Sequence, residues 1–209
     1  MMTNGFLLPI FNIFVKIVFA FNLVEYFKKS VRAAYRFTHN NKKLSYTEVL
    51  ESSNIAIDIY QVFKFGVLFT VWVLESESAL AKYVIYYLLF SNVFTYFYYQ
   101  VWGNGYASRS DRETLNRKFL NTIIAVAYYL LCYAYLYQYH FYSMIEWLNA
   151  PSVLESIYLS ISTAFTLTYS GFSPKGKDIA IYMVFLSEIL TTFFFLTVII
   201  SNAIPSHEN

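Results

Sequence analysis

Long apolar stretches separated by short charged ones set the plan of this chain. A helix that crosses a bilayer needs about 20 mostly apolar residues. Five stretches reach that length: 6–27, 55–74, 79–102, 119–139 and 179–204. The first carries Asn12, Lys16, Asn22 and Glu25, so it reads either as a span or as a helix lying at the interface. It lacks the basic leader and small-residue cleavage site of a secretory signal. The second has Asp58, Gln61 and Lys64 in its first half, spaced for one polar stripe facing a bundle interior. The fourth is uncharged and the fifth holds one acid, Glu188. Ser45 and Glu48 fit a capping box, which predicts a helix from 46 that runs on into the second span.

Residues 152–165 break this pattern. Ser152 with Glu155 three residues on is a second capping-box signature, followed by a small and apolar run ending at Phe165. About 14 residues cannot cross a bilayer, so the expectation is a re-entrant half-helix that returns as an extended strand. Irregular backbone at membrane depth is tolerated only where protein buries it or water lines it. The inward C-terminal end carries the negative pole of the helix dipole, which favours a cation.

Composition agrees with a membrane chain. Hydrophobic residues are 57% of 209, Tyr and Phe number 21 each, and charged residues are 13%, against roughly 25% charged in soluble domains. Such apolarity excludes disorder. The lone Cys132 excludes an intrachain disulfide and a cysteine zinc site. His39, His140 and His207 have no metal spacing, and a net charge of +2 does not suggest nucleic acid. The Tyr-rich third and fourth spans read as interface belts and packing material rather than a ligand cage. No serine–histidine or paired-carboxylate motif points to an enzyme. Basic residues set orientation. Loop 28–54 holds Lys28, Lys29, Arg32, Arg36, Lys42 and Lys43, and loop 103–118 holds Arg109, Arg112, Arg117 and Lys118, whereas Glu75–Ser78 has none. Both basic loops and the C-terminus are therefore expected in the cytoplasm, with 140–178 outside.

Span, short helix, loop and span is the layout of the potassium-channel pore, and residues 119–202 resemble that family. Ser156–Thr163 is similar to its pore helix, and Thr166-Leu167-Thr168-Tyr169-Ser170-Gly171 followed by Phe172-Ser173-Pro174 resembles its Thr-Val-Gly-Tyr-Gly-Asp filter and trailing Pro. Thr166, Tyr169 and Pro174 match without gaps; Thr168 and Ser170 stand at the two glycines and Gly171 at the Asp. A second register places Thr166–Ser173 on Thr-Leu-Thr-Thr-Val-Gly-Phe-Gly and keeps Gly171. Leu186–Thr192 resembles the inner-helix stretch, with Glu188 at the bracing acid and Thr192, next to Thr191, at the hinge glycine. The resemblance implies an all-α integral membrane protein: peripheral helices over 1–118, then a pore module over 119–204 with outer helix 119–139, pore helix 152–165, filter 166–171 and inner helix 179–204.

It further implies a homotetrameric channel in the plasma membrane, cation-conducting and either potassium-like or weakly selective. Monovalent cations would be its cargo, and no cofactor is expected. The missing filter glycines and the basic outer mouth, where Lys175 and Lys177 face only Asp178, leave two alternatives. One is a non-conducting regulatory subunit that keeps the pore fold. The other is an anion-permeable pore. A gate would lie in the membrane helices, in loop 28–54 or in a partner engaging that loop. No helix carries the arginine repeat of a voltage sensor.

Overall fold

The computed structural model describes residues 7–38, 45–99, 112–147, 151–167, 171–176 and 178–203. They form seven α-helices: α1 (Leu7–Ala20), α2 (Leu23–Thr38), α3 (Tyr46–Val73), α4 (Ala79–Phe97), α5 (Arg112–Tyr139), α6 (Val153–Ala164) and α7 (Ile179–Ala203). Strands β1 (Ile145–Trp147) and β2 (Phe172–Pro174) pair antiparallel. The fold is that of an all-α membrane protein. Three described helices are long and apolar enough to cross a bilayer: α3, α5 from Asn116 onward, and α7. A fourth crossing exists if the bent pair α1–α2 counts as one.

The count corrects the five expected spans at two places. Stretch 6–27 is not one helix. It breaks at Phe21-Asn22, and α2 leaves α1 at 57°. Asn22 causes the break: its Oδ1 accepts from the Val24 amide at 3.2 Å and caps the new helix, while the Asn22 side-chain amide donates to Thr95. Of stretch 79–102, Ala79–Phe97 form α4 and Tyr98-Tyr99 continue it as π-helix, while 100–102 lie outside the described residues. The tyrosines of α4 and its polar Lys82, Ser91 and Asn92 leave it without a membrane-length window as apolar as those of the three spans. In contrast, the expected union of 46–54 with the second span is seen in α3. The Ser45 amide donates to Glu48 at 2.7 Å and the Glu48 amide to Ser45 Oγ at 3.3 Å, so both orphan amides are satisfied.

The described chain divides into two compact units, one of Met1–Val67 with Phe94–Gly103 and one of Leu68–Val93 with Asn104–Asn209. In the first, Phe27 packs against Tyr60 and Phe63, and Phe11 against Phe97. Asp58, Gln61 and Lys64 do not share one buried stripe here. Asp58 is exposed, Gln61 half-buried and Lys64 buried. Three residues fall short of a helical turn by about 60°, so six carry Lys64 well round from Asp58.

In the second unit the core lies on α5, whose Tyr128, Tyr129, Tyr133, Tyr135 and Tyr137 are all buried. Their hydroxyls need partners in such a core. Tyr135 donates to the Ser76 carbonyl, and Trp72 Nε1 donates to Gln138 at 2.9 Å, which ties the end of α3 to the end of α5. Asn92 on α4 donates to the Ala125 carbonyl at 3.2 Å. The helix α7 turns Ile181, Val184, Glu188, Thr192, Phe195 and Val198 inward, at the three- and four-residue spacing of one helical face.

Candidate functional site

The site is built on α6. Ser152 accepts from the Glu155 amide at 3.2 Å and Glu155 reaches back to the Ser152 amide, so the capping box expected at this position starts the helix. Twelve residues rise about 18 Å, well short of a ~30 Å hydrocarbon core. One face, Ser156, Ser160 and Ala164, is small and buried. Small residues four apart let helix backbones approach closely, and α6 uses this face to pack between α5 and α7. Ser160 Oγ lies 2.9 Å from the Leu130 carbonyl of α5 and also bonds Glu188 of α7. Tyr137 of α5 donates to the other carboxylate oxygen of Glu188 at 2.5 Å. Glu188, with no solvent exposure, therefore joins all three helices at one point.

Two further rungs run along α5 and α7. Tyr129 meets Thr192 at 2.9 Å, with rings of Tyr129 and Phe195 stacked at 5.3 Å, and Tyr133 meets Ser187 at 3.0 Å. Thr192 Oγ1 also lies 2.9 Å from the Glu188 carbonyl, and Thr191 Oγ1 lies 2.8 Å from the Ser187 carbonyl. The residue at the hinge position is thus bonded across to α5. Tyr129, Tyr133 and Tyr137 stand four apart in sequence, which puts them on one helical face. That spacing was the available clue to the ladder, and it is lost among the many other tyrosines of the segment.

The end of α6 departs from expectation. The Thr166 amide donates to Thr163 at 3.1 Å and the Leu167 amide to Ser162 at 2.8 Å, which is a Schellman closure with Thr166 at φ 51°. Those two carbonyls at the negative pole are therefore occupied by the chain's own turn. Glycine ordinarily fills this left-handed position, and a threonine there is strained. Thr166→Gly is expected to stabilise the protein by roughly 1 kcal/mol, read as a raised midpoint in detergent unfolding; a lowered midpoint would show that the turn is not the strained point.

Of the proposed filter, Thr166 and Leu167 are exposed and Gly171 is buried; Thr168, Tyr169 and Ser170 lie outside the described residues, as does Lys177. The return strand has a partner that the sequence did not suggest. Ile145 pairs with Pro174, Glu146 with Ser173 and Trp147 with Phe172. Ser173 Oγ donates to Glu146 at 2.9 Å, and the Trp147 and Phe172 rings meet edge-on at 5.1 Å. Lys175 is exposed, its amide continuing the ladder to the Met144 carbonyl. Gly176 takes φ 75° in the turn that follows, and Asp178 caps α7 by accepting from the Ala180 amide at 2.9 Å. Asp178 is thus engaged in starting a helix.

His140 sits where α5 leaves for this hairpin. Its ring packs on Tyr135 at 5.5 Å, and its buried Nε2 has no hydrogen-bond partner. Burial first, and then the Lys82 ammonium, hold the imidazole below its ordinary 6.5. The unfolded chain therefore binds this proton more readily than the folded one. Stability is full above about 6.5 and falls as pH drops toward the lowered folded value. Unfolding midpoints measured from pH 7.5 to 5.5 should decline, and His140→Gln should flatten that slope; an unchanged slope in the variant would remove His140 as the cause.

Among the described residues no group of three His, Cys, Asp or Glu side chains is placed to hold a metal. No family model, no curated protein and no solved structure matches this chain.

Proposed function

We propose that this chain is one subunit of a homotetrameric membrane channel that conducts monovalent cations through a central pore formed by residues 166–171. The observation that carries the reading is α6. It is a capped half-helix wedged between two membrane-length helices, tied to both through a fully buried carboxylate, and ended by a turn at Thr166. A half-helix followed by irregular backbone at membrane depth requires protein or water around it, and a fourfold pore supplies both. Carbonyl and hydroxyl oxygens of Thr166, Leu167, Thr168, Tyr169, Ser170 and Gly171 would replace part of the hydration shell of the ion. Without glycine at two filter positions the site is expected to discriminate weakly among monovalent cations. Glu188 braces the pore helix rather than binding the ion, because both of its oxygens are engaged. Thr192 holds the inner helix to the outer one through Tyr129, and Thr191 bonds back within its own helix. The basic loops and the C-terminus face the cytoplasm of a plasma-membrane protein.

The Schellman closure supports a second reading. Carbonyls of Ser162 and Thr163 that would face a cavity are bonded to the chain itself, as suits a non-conducting subunit that regulates another membrane protein. Purified full-length protein in planar bilayers separates the two. With KCl more concentrated on one side than on the other, single-channel currents reversing toward the potassium equilibrium potential are expected. Current reversing on the chloride side would assign the pore to anions, drawn by Lys175 and Lys177. No current at any voltage or gradient would overturn conduction and leave the regulatory subunit.

A further inference from the structure

The geometry points to α2 as an interfacial helix that lies in the headgroup layer and binds anionic phospholipid through Lys29 and Arg36. Its sequence divides by face. Each residue advances about 100° round the axis. Glu25, Lys28, Lys29, Arg32 and Arg36 then fall within one arc of about 100°, and Leu23, Phe27, Val31, Ala34 and Phe37 on the opposite side. Such an amphipathic helix, basic on its polar face, belongs in the plane of the interface rather than across the bilayer. The 57° bend after α1 turns it out of the α1 direction. Helix α1 is apolar, exposed along most of its length, and about 21 Å long.

Contacts fix which way α2 is rotated. Lys28 is buried, bonded to Glu25 at 3.1 Å and to Tyr99 at 2.5 Å, and it also lies over the Tyr99 ring. Tyr99 in turn donates to Glu25. Arg32 donates to Ser53 of α3 at 2.8 Å. These bonds consume two of the four cations and hold that side of the helix against protein. The other two, Lys29 and Arg36, are exposed. They stand seven residues apart, which puts them within about 20° of each other and about 10 Å apart along the axis. A row of exposed Tyr26, Ala33 and Phe37 runs beside them, about 40–100° round the helix. Tyr26 and Phe37 are the large exposed apolar members of the helix. One side meets protein, one side dips into acyl chains, and the edge between them offers two cations at headgroup level. The complementary occupant is an anionic phospholipid, whose phosphate the two side chains reach while their stems cover apolar surface.

Two readouts test this on the full chain in lipid nanodiscs, neither requiring a current, so the outcome is independent of conduction. A spin label on Ala33→Cys reports depth; Cys132 is buried, and labelling of the parent chain gives the background. The label should sit at the boundary between headgroups and acyl chains. A label at mid-bilayer would make α1–α2 one broken span and overturn the proposal, as would a label freely exposed to water. The second readout is association of spin-labelled phosphatidylglycerol relative to phosphatidylcholine. Lys29→Gln should weaken the preference about fivefold, and Lys29→Gln with Arg36→Gln more. The charge-preserving pair Lys29→Arg and Arg36→Lys should keep it. An unchanged preference in the glutamine variants, or equal loss in the charge-preserving pair, would refute headgroup binding at these residues.

Discussion

Glu188→Ala should destabilise the α5–α6–α7 assembly by about 3–5 kcal/mol. The magnitude does not come from summing hydrogen bonds, since side-chain bonds between membrane helices average only about 0.6 kcal/mol. It comes from what the deletion leaves. Ser160 has one hydroxyl proton and two acceptors, Glu188 and the Leu130 carbonyl. When the carboxylate goes, that proton still has Leu130. Tyr137 keeps only the Thr163 hydroxyl beside it, and a buried donor that loses its carboxylate acceptor costs about 1–3 kcal/mol. The void among α5, α6 and α7 adds a cavity cost like that of other large-to-small core changes, about 2–5 kcal/mol. Glu188→Gln, which keeps the volume and one carbonyl acceptor, should cost only about 1 kcal/mol. The check is equilibrium unfolding of the full chain in mixed micelles. The double variant Glu188→Ala with Tyr137→Phe removes the orphan hydroxyl and should recover part of the loss, so the pair should couple in a double-mutant cycle. A Glu188→Ala protein within about 0.5 kcal/mol of the parent would show that the three-helix joint carries no stability.

The parts of this architecture that were legible in sequence are those written in local chemistry. Ser45/Glu48 and Ser152/Glu155 place two helix starts because a capping box needs only residues three apart. The membrane-length parts of α3, α5 and α7 follow from their long, mostly apolar stretches. A buried acid such as Glu188 marks itself, because a carboxylate within an apolar helix is costly unless it is bonded. What stayed hidden depends on partners distant in sequence or on one residue's choice between two roles. Asn22 reads as a tolerated polar residue within a span, yet its carbonyl oxygen caps a new helix and its amide reaches Thr95. The β1–β2 pairing joins three-residue segments 27 apart, too short for any alternation to show. Thr166 in the left-handed region has no signature, since sequence rules expect glycine there.

Replacing Tyr129 and Tyr133 together by phenylalanine should loosen α7 from α5 by about 1–3 kcal/mol and, in a conducting protein, shift the opening equilibrium by roughly 5- to 150-fold. A helix that bends alone needs a weak point, and α7 has none at Thr191-Thr192. Thr192 is buried, its Oγ1 lies 2.9 Å from the carbonyl one turn back, and the same oxygen meets Tyr129. Bending at Thr191-Thr192 would part the Tyr129 rung from the Tyr133 rung, which grips Ser187 one turn away. The ladder therefore favours α5 and α7 moving as one body, with any gate formed where α6 ends rather than along α7. Phenylalanine keeps both rings, including the stack on Phe195, so packing is retained and only the hydroxyl bonds are removed. Thr192→Gly provides the opposite test: it restores a flexible point at a helix-propensity cost of about 1 kcal/mol and frees Tyr129. If α7 is held by the ladder, both variants should change open probability in the same direction. The idea fails if the phenylalanine pair leaves unfolding and open probability within twofold of the parent while Thr192→Gly alone alters gating, because the hinge residue would then act without the rungs.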